Sequence, residues 1–214
     1  DLGSGRSLTV DGDAIIVNAT NSLYRSNDGA ASWSRADSGI ADIQYNPAFG
    51  PAIVNGDWFV GVAGKLYRST DRGSSWSATS ATLPANERIA SLTAVGGTLL
   101  AIVNEFSTPK AVYRSTDAGA TLTLANNGIS LSASSFDTRL NRFYTLPSGV
   151  YVQTTNSALY RTSDAGASWA AFTTSGLPTA SFVITSMTED ANGTLYLSYA
   201  GPDGADVYYK GANA

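Results

Sequence analysis

The chain has 214 residues, 13 Lys plus Arg against 17 Asp plus Glu, a formal charge of −4, and neither His nor Cys. That composition excludes Ser-His-Asp and Cys-His catalysis and any thiolate or imidazole metal site. The absence of a basic block argues against nucleic acid as a partner, and no apolar run approaches the roughly 20 residues of a membrane-spanning helix.

In chain order, short apolar runs alternate with Gly, Asn and Pro turns. Residues 8–10 and 15–17 form a hairpin about Asp11-Gly12, followed by a strand at Leu23-Tyr24-Arg25 and a fourth carrying Trp33. The pattern recurs at 52–54 and 58–62 about Asn55-Gly56, then at Leu66-Tyr67-Arg68 and Trp76. It returns at 92–95 and 99–103 about Gly96-Gly97, then at Val112-Tyr113-Arg114 and Leu122. A fourth copy has 143–146 and 150–152 about 147–149, then Leu159-Tyr160-Arg161 and Trp169. The fifth has 183–187 and 195–199 about Asn192-Gly193, then a degraded Val207-Tyr-Tyr-Lys210. Two-residue Asn-Gly and Gly-Gly turns between apolar runs are hairpin signals, and no segment shows a 3.6-residue apolar period.

Each Tyr-Arg pair leads into an Asp turn, with aspartates Asp28, Asp71, Asp117 and Asp164 spaced 43, 46 and 47 residues apart. Four strands per unit of about 45 residues predict an all-β chain, a β-propeller of four-stranded antiparallel blades. Solenoid repeats usually turn at shorter periods or contain helices. Counting gives five blades with the last incomplete, at about 6–37, 50–80, 90–126, 140–174 and 181–214, within one domain spanning 1–214. The alternatives are a fragment of a six- or seven-bladed propeller, or a last blade completed by another chain, which would make the protein oligomeric.

The octets Ser69-Thr-Asp-Arg-Gly-Ser-Ser-Trp76, Ser115-Thr-Asp-Ala-Gly-Ala-Thr-Leu122 and Thr162-Ser-Asp-Ala-Gly-Ala-Ser-Trp169 resemble the Asp-box, or bacterial neuraminidase repeat. Its pattern is Ser/Thr-x-Asp-x-Gly-x-Thr/Ser-Trp/Phe, found in sialidase-, sortilin- and photosystem-assembly-factor-like propellers. The first copy departs with Ala30 at the Gly position, and the third with Leu122 at the aromatic one. The resemblance implies that each box is a structural turn between the third and fourth strands, away from the ligand-binding face. Asp28, Asp71, Asp117, Asp164, Trp33, Trp76 and Trp169 are then scaffold. Each Asp accepts from the turn's N–H groups, and Gly tolerates positive φ. The repeated arginines Arg25, Arg68, Arg114 and Arg161 read as scaffold too. A calcium site is disfavoured because each turn supplies one carboxylate; no metal and no cofactor is expected.

Function is then expected on the opposite face, in the loops 18–22, 104–110, 154–157 and 200–206 and the blade connections 37–46, 83–90, 126–140 and 175–182. Ligand-binding candidates there are Tyr45, Glu87, Arg88, Glu105, Phe106, Asp137, Arg139 and Asp203, with Lys110 among the charged residues. Tyr45 and Phe106 offer aromatic faces to a sugar ring. The sialidase Arg-Ile-Pro motif is absent; Arg88-Ile89-Ala90 comes nearest but lacks the Pro. The expectation is a non-catalytic binding or scaffold module for a glycan or protein. The alternative is a divergent glycoside hydrolase drawing two facing carboxylates from Glu87, Glu105, Asp137 and Asp203. A charged content of 14%, with many Ser, Thr, Ala and Gly, suits a secreted, periplasmic or cell-surface bacterial protein, and a start at Asp1 without Met suits a processed chain or a fragment. Asn18-Ala-Thr20 and Asn192-Gly-Thr194 fit the glycosylation triplet.

Overall fold

The computed structural model describes residues 7–19, 21–41, 43–46, 48–104, 111–130, 140–154, 158–173, 182–200 and 206–213, with the backbone alone at 140–141 and 206–213. The described residues form strands and turns, with no helix long and apolar enough to cross a membrane. They build five antiparallel sheets from consecutive strands, four of four strands and one of three. Blade 1 is β1 (Ser7–Asp11), β2 (Ala14–Ala19), β3 (Ser22–Ser26) and β4 (Ser34–Arg35). Blade 2 is β5 (Ala48–Val54), β6 (Asp57–Val62), β7 (Lys65–Ser69) and β8 (Ser77–Ala78), and blade 3 is β9 (Arg88–Val95), β10 (Thr98–Asn104), β11 (Ala111–Ser115) and β12 (Thr123–Leu124). Blade 4 is β13 (Leu140–Leu146), β14 (Gly149–Thr154), β15 (Leu159–Thr162) and β16 (Ala170–Ala171), and blade 5 is β17 (Val183–Glu189), β18 (Thr194–Ala200) and β19 (Asp206–Asn213).

The fourth strands are two residues long and begin just after the octets, so Trp33, Trp76, Leu122 and Trp169 precede them instead of lying within them. In two of the copies the Trp has a second use. Trp76 N–H donates to Ser38 O at 2.9 Å and its indole Nε1–H to Ala36 O at 2.8 Å. Trp169 repeats this on Asn127 O at 2.8 Å and Ala125 O at 2.9 Å. Each Trp thereby rivets its blade to the connection entering that blade, and a glycine at positive φ, Gly39 or Gly128, passes against the Trp carbonyl where a Cβ has no room.

The chain divides into two compact units, the first holding blades 1 to 3 up to Leu124 and the second the rest with residues 107–111. In the first unit, Ala14, Ile16 and Leu23 of blade 1 pack on Trp58, Val60, Tyr67 and Trp76 of blade 2. Phe59 and Leu66, on the other side of blade 2, pack on Leu99, Ala101 and Val103 of blade 3. This is the period-2 alternation of strands buried on both faces. In the second unit, Tyr151 and Leu159 of blade 4 meet Ile184, Leu195, Leu197 and Tyr199 of blade 5. Buried amides stitch successive blades. Asn18 Nδ2 donates to Ala48 O, and Gln153 donates to Phe182 O at 3.0 Å while accepting from Ile184 N–H at 2.9 Å. Asn18 is 1% exposed and so cannot carry a glycan; Asn192 is exposed.

Candidate functional site

The two ends of the blades differ in kind. At one end lie the four octet turns, which share one geometry. Asp28, Asp71, Asp117 and Asp164 each accept from the Ser or Thr hydroxyl two residues back at 2.7 Å, and from the N–H and hydroxyl of the residue four ahead. These donors lower each carboxyl from 3.8 to about 2, the hydroxyl four residues ahead contributing most. The leading Ser or Thr hydroxyl in turn accepts the N–H of the fifth octet residue, at 2.7–2.9 Å. Positions four and five adopt positive φ in every copy, including Arg72, Ala118 and Ala165. The aspartates are thus committed to their own turns.

Three of the four repeated arginines hold partners, while Arg25 Nε and Arg114 Nε are shielded from solvent without one among the described residues. Arg25 Nη1 donates to Ser74 Oγ at 2.8 Å, and Arg68 Nε to Asp57 Oδ2 at 2.9 Å. Arg161 donates to Ser148 O at 3.1 Å and lies 5.8 Å over the Tyr151 ring. A polar cavity of about 330 Å³ beside the octets of blades 2 and 3 is lined by Arg68, Ser75, Ser77, Ser80 and Asp117. Its two charged groups already hold partners.

The opposite end of the first unit carries a different cavity, about 290 Å³, lined by Lys65, Tyr67, Pro84, Asn86, Glu87 and Arg88 among others. Local backbone geometry builds it. Pro84 O accepts from Glu87 N–H at 3.2 Å, closing a turn in which Asn86 takes φ 68. Ala63 O accepts from Ile89 N–H at 3.1 Å, pinning the connection onto the β6–β7 hairpin. Gly64 permits the close approach, since a Cβ there would stand 2.7 Å from Glu87 O. Glu87 and Arg88 are thereby presented at the mouth, beside Lys65.

Glu87 is half-buried, and its Oε2 is shielded from solvent without a hydrogen-bond partner. Tyr113 lies near it, its pKa raised first by burial and then by the Glu87 charge. The cavity therefore sets two cationic side chains, Lys65 and Arg88, near Glu87, whose Oε2 is itself out of reach of solvent.

Of the sequence-derived candidates, Glu87 and Arg88 fall together in this cavity. Tyr45 is 77% exposed on the connection between blades 1 and 2 and is not part of the lining. Glu105, Phe106, Lys110, Asp137, Arg139 and Asp203 lie outside the described residues. Sequence reasoning missed Lys65, Tyr67 and Tyr113. The available signal was Gly64-Lys65, a glycine hairpin placing a cation at the loop end of a repeat whose other copies have Ser22, Ala111 and Ala158 there.

No protein-family model matches the chain, and no curated protein does. Solved structures do. An ancestral GH74 enzyme is similar over 97% of this chain with TM-score 0.73 and 18% identity, this chain spanning 30% of it. YCF48 bound to D1 peptide is similar over 99% of this chain with TM-score 0.66 and 17% identity, this chain spanning 68% of it. The extracellular domain of a hybrid two-component system from B. thetaiotaomicron is similar over 99% of this chain, with TM-score 0.56 and 13% identity, and 32% of it is covered. At these identities the likeness concerns fold alone, and with the sheet order above it makes the chain an all-β protein of the β-propeller class.

Proposed function

We propose that the chain is a secreted, non-catalytic Asp-box propeller module, its five blades forming one domain, that binds a partner through its loop end. The observation that carries this reading is the cavity at Glu87. It sets Lys65 and Arg88 beside Glu87 and Tyr67 in a concave surface of the loop end. A peptide segment suits it with an acidic side chain for Lys65; a glycan suits it with hydroxyls. Protein binding draws support from YCF48, a similar fold bound to a peptide, and secretion from the extracellular domain of that fold. Tyr45, Glu105, Phe106, Asp137, Arg139 and Asp203 belong to the same proposal as further contacts on the loop end.

The alternative, a divergent glycoside hydrolase, is favoured by the likeness to a GH74 enzyme. Hydrolysis needs a second carboxylate roughly 5–9.5 Å from the first, and Glu105, Asp137 and Asp203 are the candidates. The deciding experiment is a peptide array and a glycan array probed in parallel, with released glycans read by mass spectrometry. Retention without cleavage, lost in Glu87→Gln and Lys65→Ala, is expected. Cleavage abolished by alanine at one of the four carboxylates would replace this reading with the hydrolase.

A further inference from the structure

The chain holds three Asn-Gly dipeptides, Asn55-Gly56, Asn127-Gly128 and Asn192-Gly193. All three asparagines are exposed, and each glycine takes a positive φ. They differ in how the surrounding backbone is held. Asn127 O accepts from Trp169 N–H at 2.8 Å, and a Cβ on Gly128 would stand 1.9 Å from Trp169 O. Asn126 O accepts from Ile129 N–H at 2.9 Å and closes the turn around that pair. At Asn192-Gly193 the glycine nitrogen itself is engaged, Gly193 N–H donating to Asp190 O at 3.0 Å. Asp190 Oδ1 also receives Asn192 N–H at 2.9 Å and Thr194 N–H at 2.8 Å, which fixes the backbone on both sides of Gly193.

Asn55-Gly56 has none of these restraints. It is the two-residue turn between β5 and β6, with Val54 paired to Asp57 behind it. Among the described residues nothing hydrogen-bonds the Asn55 side-chain amide or the Gly56 N–H, and a Cβ on Gly56 would meet nothing within 4 Å. The Asn55 amide lies over the next hairpin, its Oδ1 3.7 Å from where Gly97 would carry a Cβ, so no side chain of that residue crowds it. Asn55 itself sits at φ 51, a conformation unfavourable for an L residue, and opening of the turn releases it.

We propose that Asn55 is a site of spontaneous deamidation, the one Asn-Gly pair of the three that the fold leaves open to this modification. The Gly56 amide nitrogen gives its proton to a solvent base and attacks Asn55 Cγ. The N–Cγ bond forms, the Cγ–Nδ2 bond breaks, and Nδ2 leaves as ammonia with a proton from water. Residues 55 and 56 are then joined in a cyclic imide. Water opens the imide at Cγ to give an aspartyl residue, or at the backbone carbonyl to give an isoaspartyl one. The net change is one water consumed and one ammonia released, with nothing oxidised or reduced. Gly56 suits the attack because no Cβ shields its nitrogen. Reaching the ring geometry requires only local opening of the turn at Asn55, whereas at Asn127 and Asn192 it breaks the bonds named above. Either product sets a new carboxylate two residues from Asp57, the partner of Arg68, and the isoaspartyl form lengthens a two-residue turn by one backbone carbon.

The test is incubation of the folded chain at mildly alkaline pH beside a denatured sample. Each Asn-Gly site is read by mass spectrometry, with fragmentation that separates aspartyl from isoaspartyl. The three sites convert at similar rates in the denatured sample, since each asparagine precedes a glycine. In the folded chain Asn55 is expected to convert roughly tenfold faster or more than Asn127 and Asn192, giving both products. Asn55→Gly keeps a residue that accepts the positive φ of the turn and should remove the slow acidic shift of the folded chain in isoelectric focusing. Conversion of Asn127 or Asn192 as fast as Asn55 in the folded chain would overturn the proposal. So would an Asn55 that stays intact while the denatured chain converts, or an aspartyl product alone, which marks direct hydrolysis without the imide.

Discussion

The octet end and the loop end of the blades use similar residues for opposite purposes. At the octet end, the four aspartates and the arginines Arg25, Arg68 and Arg161 are spent on their own turns and neighbouring strands. At the loop end, Glu87 keeps an oxygen without a partner and Lys65 stands at an open mouth. Polar groups held by their own turns and strands make a repeatable scaffold, whereas an exposed charge at the edge of a concavity is available to a partner. The row of octet carboxylates is therefore taken up by its own turns.

The largest test of that contrast falls on the rivets. Trp76→Ala removes a buried indole together with its bond to Ala36 O, and should cost about 3–5 kcal/mol in denaturant unfolding. Trp33→Ala, on the partly covered copy, should cost distinctly less. Equal losses would mean that the Trp acts within its own blade and not as a rivet. Next comes the stitch between blades: Gln153→Ala leaves Phe182 O and Ile184 N–H unpaired in a buried setting and should cost about 1–3 kcal/mol.

Acid separates the two ends more finely. The octet carboxyls are depressed from 3.8 to about 2 in the folded chain, so their stabilisation is complete above the unfolded value and is lost as pH falls through the folded one. Tm should hold from neutral pH to about 5 and decline below about 4. Asp71→Asn with Asp164→Asn should lower Tm at neutral pH and flatten that decline. An unchanged acid profile would mean the turns do not depend on ionised aspartate. The smallest effect on stability is expected at the loop end. Lys65→Ala, at an exposed position, should change unfolding by no more than about 0.5 kcal/mol while reducing ligand retention. Gly64→Ala should reduce retention as well, because its methyl displaces the connection that carries Glu87.

Much of this architecture was legible in the chain. Paired apolar runs about Asn55-Gly56 and Gly96-Gly97 became hairpins, with φ of 51 and 88 in the first and 54 and 77 in the second, as such turns require. The octet turns were readable because all their bonds are local, spanning two to four residues. The Trp contacts were not readable. Position within a repeat suggested a strand, but the bonds of Trp76 and Trp169 run to connections about 40 residues away. Asn18 looked like a glycosylation triplet for the same reason, since its partner Ala48 lies 30 residues on. Glu87 and Arg88 were chosen as candidates by their place in a variable connection, and the cavity groups them with Lys65 and Tyr67 of a repeated strand, which that choice did not include.

By itself, then, the sequence determined the strand order, the hairpins and the octet turns, because period-2 burial and short-range hydrogen bonding are written in neighbouring residues. Which polar groups stay unsatisfied was decided by tertiary structure alone. The cavity at Glu87 exists because the 84–89 connection folds back on the Ala63-Gly64 hairpin. The bonds of Trp76 to Ala36 O and Ser38 O exist because the connection entering blade 2 returns along its octet. Both depend on packing between segments distant along the chain, and local sequence pattern carries no record of such distances.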